Sequence, residues 1–376
     1  MDPMILKNLR IAGGPDESVD IEISDGVITD IRPSDFKDAG KARSAMPGFV
    51  DVHNHGAVGV DVNSADADGL MRLAEFLATK GVTVWLPTLV PDSDENYLRA
   101  IAAIDELMER QRDLPSAQAV GVHYEGVFAS EQMCGALKPQ FFKKFTGTEL
   151  NAIPRLRKGV HMMTFAPEIG GGLELAAELD RQGWIASIGH TRASIEILDQ
   201  AFSKGARHLT HFFNAMTGLH HRDVGVVGWA LANDGVTFDI IADGVHVHPL
   251  ALKAACRAKL PDRVSLISDS IAPTGLGDGR FEVWGEPIEV ANGRTQNARG
   301  SIAGSVITMI DAVQKMRSIG FELSEISRMV STNPAELLGL TETLGAIEVG
   351  KRADIVMLGT DGQIEEVFIG GRPAKM

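Results

Sequence analysis

Eight short apolar runs, separated by stretches long enough for a helix, constrain this chain more than any other feature. They are "GFVDVHNH" (48 to 55), "VTVWLPT" (82 to 88), "AVGVHYEG" (119 to 126), "GVHMMTFAPE" (159 to 168), "WIASIGH" (184 to 190), "RHLTHFFN" (207 to 214), "TFDIIAD" (237 to 243) and "RVSLISD" (263 to 269). Amphipathic segments such as "ADGLMRLAEFLATKG" and "NYLRAIAAIDELMERQ" lie between them. Strand followed by helix, repeated, implies a parallel sheet with helices packed on it. Eight such strands close into a barrel, which predicts an α/β fold of the TIM-like (β/α)8 kind. An open doubly wound sheet is the competing arrangement, but no Gly-rich phosphate-binding fingerprint follows an early strand.

The two ends of the chain have another texture. Residues 4 to 45 alternate apolar and polar positions, with Asp25-Gly26 as a hairpin turn, and the C-terminal "GKRADIVMLGTDGQIEEVFIGGRPA" does the same around Asp361-Gly362. The ends are therefore expected to pair into a small β-sandwich domain. The boundaries predicted are 1–47 and 346–376 for this domain and 48–345 for the barrel.

Side chains at i and i+2 of a strand point the same way, so His53 and His55 project together at the strand end. Two imidazoles on one face make half of a divalent-metal site; the alternative is a hydrogen-bonded pair in a polar barrel mouth. Glu125, Glu168, His190, His211, Asp243 and Asp269 also fall at strand ends, where such barrels carry their chemistry. An aspartate there can equally cap a helix. His161 and His208 lie inside strand runs and are expected to be hydrogen-bonded structural groups, as is His248 before Pro249.

Composition narrows the partners. A formal net charge of -14 argues against nucleic acid or an anionic membrane, both of which would repel the chain. The 376 residues, 44% hydrophobic, can bury a large core, yet no run of about 18 apolar residues occurs. Two cysteines far apart, Cys134 and Cys256, suit a reducing cytoplasm better than a disulfide framework.

The motifs "PGFVDVHNHG", "HYEG", "GHT", "HLTHFFNAM", "ADGVHVHP", "LISDSIAPTG", "GSIAGSVITM" and "STNPAELLGL...GAIEVGKRADIVML", in this order, resemble the amidohydrolase superfamily and within it the N-acetylglucosamine-6-phosphate deacetylases. The resemblance implies metal-dependent hydrolysis of an amino sugar phosphate's N-acetyl amide, with Glu125, His190 and His211 as metal ligands and Asp269 as the catalytic acid/base. It also implies that Asn214, Ala215, Arg222, His246 and the loop Ala303, Gly304 and Ser305 hold the substrate, and that Arg222 and His246 reach the site of the neighbouring subunit in a homodimer. Because both His53 and His55 are retained, one or two divalent ions fit, with zinc, iron, cobalt or manganese all compatible. The chain departs from the family at Val127, where a proline is usual, and at Leu137 after Ala136, where a substrate-polarising histidine is usual. Leu137 leaves the sugar epimer open, including the galactose-configured N-acetylgalactosamine 6-phosphate, and an N-acyl amino acid or a non-catalytic sugar-phosphate binder are further alternatives.

Overall fold

The computed structural model describes residues 4–35 and 42–375. Each of the eight apolar runs contains a strand of one parallel sheet: Phe49–Asn54, Val82–Leu89, Gly121–Phe128, Val160–Phe165, Ile185–Ile188, His208–Leu209, Thr237–Ile241 and Val264–Ile267. They pair in chain order. The last returns to the first through a parallel bridge between Asn54 and Ser270, with the Asp269 amide donating to the His53 carbonyl (2.9 Å) and the His55 amide to the Ser270 carbonyl (2.8 Å). The fold is the expected (β/α)8 barrel.

Physical reasons for each layer are readable locally. Burial on both faces accounts for strands such as "VTVWLPTL" reading as unbroken apolar runs. Val50, Val52, Val84, Leu86, Met162, Ile241 and Ile267, from strands on opposite sides of the ring, fill the interior together with Ala335, Leu338 and Leu344. The barrel is thus a packed core, and its chemistry is confined to the rim. Helix Asp94–Arg110 starts on Ser93, whose hydroxyl accepts from the Asn96 amide, and buries Tyr97, Ala100, Ile101, Ile104 and Leu107 at helical spacing.

The chain ends join in one seven-stranded sheet. Its C-terminal half meets its N-terminal half where Ile355–Leu358 pairs antiparallel with Arg43–Pro47, one residue before the first barrel strand. Strand Val19–Ser24 alternates buried and half-buried positions, as expected for a sheet with one wet face. Asp25-Gly26 is the turn, both residues in the left-handed region (φ 49° and 80°), and the turn at Asp361-Gly362 joins Ile355–Leu358 to Ile364–Ile369. Residues 1–3, 36–41 and 376 of the predicted terminal domain lie outside the described residues.

One element has no counterpart in the sequence reading. After the eighth strand the chain forms a three-stranded antiparallel sheet, Gly279–Val283, Glu286–Ala291 and Arg294–Asn297, before the helices resume at Met309–Ser318. Among the described residues no helix is long and apolar enough to cross a membrane, and both cysteines are free.

Candidate active site and metal centre

The strand ends converge. Glu125, on the third barrel strand, lies with one oxygen 3.0 Å from Nε2 of His190 and 3.0 Å from Nε2 of His211, which follow the fifth and sixth strands. On its other side Nε2 of His55 stands 3.3 Å and Nε2 of His53 3.7 Å from the same carboxylate. Asp269, after the eighth strand, lies 3.5 Å from His53 and 3.3 Å from His55. These six side chains are all buried and fall into two groups of ligand atoms, His53–His55–Asp269 and Glu125–His190–His211.

Backbone partners aim the imidazoles inward. Nδ1 of His55 donates to the Thr88 carbonyl (3.1 Å) and Nδ1 of His190 to the Met133 carbonyl (2.7 Å), which turns each Nε2 toward the centre. The Nε2 atoms approach to 3.0 Å for His53 and His55 and to 3.1 Å for His190 and His211, while Nδ1 of His53 and of His211 has no hydrogen-bond partner among the described residues. That is a poor hydrogen-bond network and a good ligand cage, so the donor set fits one or two divalent cations. Without a cation, burial opposes charge on His55 and His211, but the facing carboxylates outweigh it and lift them to about 10 and about 9. Burial likewise opposes the ionised form of Glu125, yet His190 and His211, then His53 and His55, hold it well below the usual carboxylate range. Asp269 is also held below its ordinary value, burial being outweighed by His53 and His55. Both carboxylates are anions in the folded protein.

Strain marks the same positions. His190 (φ 47°), His211 (φ 34°) and Asp269 (φ 49°) all occupy the left-handed region, a conformation that costs a non-glycine residue on the order of 1–3 kcal/mol. Neighbours enforce it: the Asp239 carboxylate accepts from the His211 amide, and the Asp269 carbonyl accepts from the Ser305 amide at 2.7 Å. Asp239 also takes Nε2 of His208 (3.1 Å), and buried Asp51 accepts from the Ser268 hydroxyl (2.5 Å) and the Asn54 amide group (3.1 Å). Sequence reasoning missed Asp239 and Asp51, because their role arises only once distant strands are adjacent. It also missed His123, whose ring lies 4.6 Å from that of His53 and whose Nδ1 donates to the Val52 carbonyl (3.1 Å). Burial, then His53, pushes His123 well below its usual value, so it is a neutral support.

A cavity of about 330 Å³ opens over His55, Glu125, His190, His211 and Asp269, with His53 buried beneath. Ala136, Leu137, Asn214, Ala215, His246 and Gly304 line it, together with Ser301, Ile302 and Trp284. Gly304 sits at φ 57°, where a Cβ would lie 2.5 Å from Ile271, so a side chain would be forced against the segment that carries Asp269. Ala303 and Ser305 are buried behind it and do not line the cavity; the Ser305 hydroxyl donates to the Ser268 carbonyl and its amide to the Asp269 carbonyl. Arg222 lies outside the cavity, exposed, its guanidinium 2.7 Å from Nε2 of His221. His246 is oriented by Asp243, which accepts from Nδ1 at 2.6 Å. Glu168 serves the backbone, accepting from Thr191 Oγ1 (2.5 Å) and the Arg192 amide (2.7 Å). His161 accepts from the Leu156 amide and His248 caps helix Pro249–Lys259, the structural places expected for them.

Comparison with known proteins agrees with this geometry. The amidohydrolase family model matches residues 44–374. The chain is 35% identical to the N-acetylgalactosamine-6-phosphate deacetylase of Escherichia coli O157:H7 over 94% of both chains. It is 35% identical to the N-acetylglucosamine-6-phosphate deacetylase of Bacillus subtilis (strain 168), over 85% of this chain and 81% of that one. The crystal structure of N-acetylglucosamine-6-phosphate deacetylase from Thermotoga maritima superposes with a TM-score of 0.87 at 31% identity, covering 99% of each chain. With the fold, the rim chemistry and these likenesses in agreement, the chain belongs to the amidohydrolase family and, within it, to the group that contains the N-acetylglucosamine-6-phosphate deacetylases.

Proposed function

We propose that this protein hydrolyses the N-acetyl group of N-acetylglucosamine 6-phosphate to glucosamine 6-phosphate and acetate. The observation that carries the reading is the convergence of Glu125, His190 and His211 with Asp269 facing them across His53 and His55 in one cavity. Glu125, His190 and His211 would hold one divalent ion, and His53, His55 and Asp269 would hold a second. Zinc is the proposed ion because imidazole and carboxylate oxygen are its ordinary ligands; iron, cobalt and manganese are the alternatives elemental analysis separates. When bound, such an ion lowers the pKa of water toward about 7 and draws electron density from an amide carbonyl.

Asp269 supplies the proton traffic. Its carboxylate takes a proton from water as the oxygen adds to the carbonyl carbon, then delivers that proton to the sugar nitrogen as the C–N bond breaks. Burial keeps bulk water from competing for it, and the contacts to His53 and His55 fix its position. Asn214, Ala215 and His246 take the sugar phosphate, His246 from its own chain's cavity wall rather than across a dimer as the resemblance implied, and Arg222, whose fork suits a phosphate, reaches the site of a second copy. Leu219 and Val224 beside Arg222, and Val245 and Leu250 beside His246, are exposed apolar side chains, which supports a homodimer through this face. The free cysteines support a cytoplasmic location. Strands Arg43–Pro47 and Phe49–Asn54 lie in different sheets, which supports a domain boundary at 47/48; its counterpart is placed at 345/346.

The likeness to an N-acetylgalactosamine-6-phosphate deacetylase over 94% of both chains favours a second substrate, the galactose-configured epimer. Acetate release from both epimers, each with and without the 6-phosphate, separates the readings. The glucose-configured phosphate is expected to give the highest kcat/KM, with loss of the phosphate costing about 100-fold or more, the worth of a charge-assisted contact of about 3 kcal/mol. Preference for the epimer would reassign the substrate. Indifference to phosphate would remove Arg222 from the site, and tight binding with no acetate from any sugar would make the protein a binder.

A further inference from the structure

The active-site cavity has a second cavity beside it, and one side chain forms the wall between them. The second space, about 380 Å³, is lined by polar and charged groups that include Asp61, Asn63, Asp92, Arg99, Lys138 and Glu282. Trp284 lines both spaces. Its ring stands edge-on to that of His55 at 5.2 Å and joins an apolar cluster with Leu137, Val90 and Ala129. Its Nε1 has no hydrogen-bond partner among the described residues, so packing alone holds the ring there.

The backbone under Trp284 makes the choice of residue notable. Five hairpins among the described residues close through two-residue loops with positive φ at both positions: Asp25-Gly26 (49°, 80°), Val58-Gly59 (48°, 78°), Trp284-Gly285 (53°, 70°), Asn292-Gly293 (52°, 73°) and Gly370-Gly371 (54°, 70°). That geometry is the type I′ turn, whose first position favours Asn, Asp or Gly because a bulky side chain is strained there. Asp25, Asn292 and Gly370 obey the rule; Val58 and Trp284 break it, and Trp284 is the bulkier of the two. The indole packs on one side against Val283 and Ile288 of its own hairpin and on the other against Leu137, Val90 and Ala129, which sets it where the two cavities meet.

We infer that Trp284, with Leu137, walls the pocket for the acyl half of the substrate and limits that half to acetyl. This rests on the deacetylase reading above. Hydrolysis adds water across the C–N bond and releases the acyl half as its carboxylic acid. With the sugar phosphate toward Asn214, Ala215 and His246, the acyl chain points to the remaining apolar side of the cavity, where Leu137 and Trp284 stand. A methyl group fits against that wall. A longer chain meets the indole, behind which lies the second cavity.

The test compares N-acetyl-, N-propanoyl- and N-butanoylglucosamine 6-phosphate with the wild type, Trp284→Asn and Trp284→Phe. Asparagine suits the turn, so the hairpin is retained while the wall is removed; phenylalanine keeps a narrower wall. A pocket that excludes extra methylenes discriminates by about 10–200-fold per group, so the wild type should favour acetyl over butanoyl by about 100-fold or more in kcat/KM. Trp284→Asn should reduce that ratio at least about tenfold, with Trp284→Phe in between. The ratio is the readout, since general loss of activity through misfolding would leave it unchanged. Should Trp284→Asn be inactive, the ratio of Trp284→Phe decides by the same criterion. An unchanged ratio, or a wild type that accepts butanoyl as readily as acetyl, overturns the wall alone. Release of no acid from any of the three by the wild type overturns the deacetylase reading, and the wall with it.

Discussion

Replacing Asp269 by asparagine is expected to lower kcat for acetate release by about 10³-fold or more while at least one ion per chain remains bound. The size follows from what a positioned acid/base contributes, about 10²–10⁴-fold, taken near its upper end because one carboxylate serves both the attack and the departure. Asparagine matches the shape and keeps a carbonyl oxygen toward His53 and His55, but it can neither take nor return a proton. Retention of metal is expected because Glu125, His190 and His211 form a group of ligand atoms without Asp269. Steady-state kinetics alongside elemental analysis check both halves. Turnover within about tenfold of wild type would remove Asp269 from the proton path.

Glu125 should be the residue whose loss empties the site it shares with His190 and His211. Its carboxylate lies within 3.7 Å of Nε2 of all four histidines, and it is the one anion in the Glu125–His190–His211 group. Glu125→Ala is expected to lose the ion of the Glu125–His190–His211 group, leaving at most the one that His53, His55 and Asp269 would hold, and to bring acetate release to background, since a cation site of two imidazoles alone is weak. The metal-free variant should also be less stable than the metal-free wild type by about 3–5 kcal/mol, because its buried imidazoles lose their counter-charge. Glu125→Gln keeps the shape and removes the charge, so it should lose metal as well while keeping more of the stability. Elemental analysis and thermal unfolding of chelated samples make the comparison. Metal content in Glu125→Ala equal to that of the wild type would show that Glu125 holds no ion.

How far the sequence could be read depended on the range of the interaction. The eight barrel strands were legible because burial on both faces writes itself as an apolar run, and the six buried groups because each closes such a run. His53 and His55 were legible as a pair because the two-residue period of a strand is local, and their Nε2 atoms do meet at 3.0 Å. The supports were not. Asp239 reads as a polar residue in "TFDIIAD", and only the tertiary neighbourhood makes it the group that holds His211 and His208. The insert at 279–297 alternates as a hairpin should, "RFEVWGEPIEVANGRTQN", but its Asn292-Gly293 signal is matched by a Trp-Gly loop that ordinary turn preferences would pass over. The positive φ values of His190, His211 and Asp269 are set by partners distant in sequence and leave no local trace.

The role of Ala303 and Ser305 shows the same limit. The "IAGS" loop was legible as part of the site, yet within it Gly304 lines the cavity while Ser305 braces Asp269 from behind. A motif marks the segment, and the fold decides which of its atoms meet the substrate.

The most direct test of the central claim, that the gathered imidazoles and carboxylates grip a divalent cation needed for amide hydrolysis, is acetate release before chelation, after it, and after return of a stoichiometric divalent ion. Activity should disappear in proportion to the metal removed and return with about one to two ions per chain, in keeping with the two ligand groups of the centre. Full acetate release from protein shown by elemental analysis to be free of metal would contradict the account.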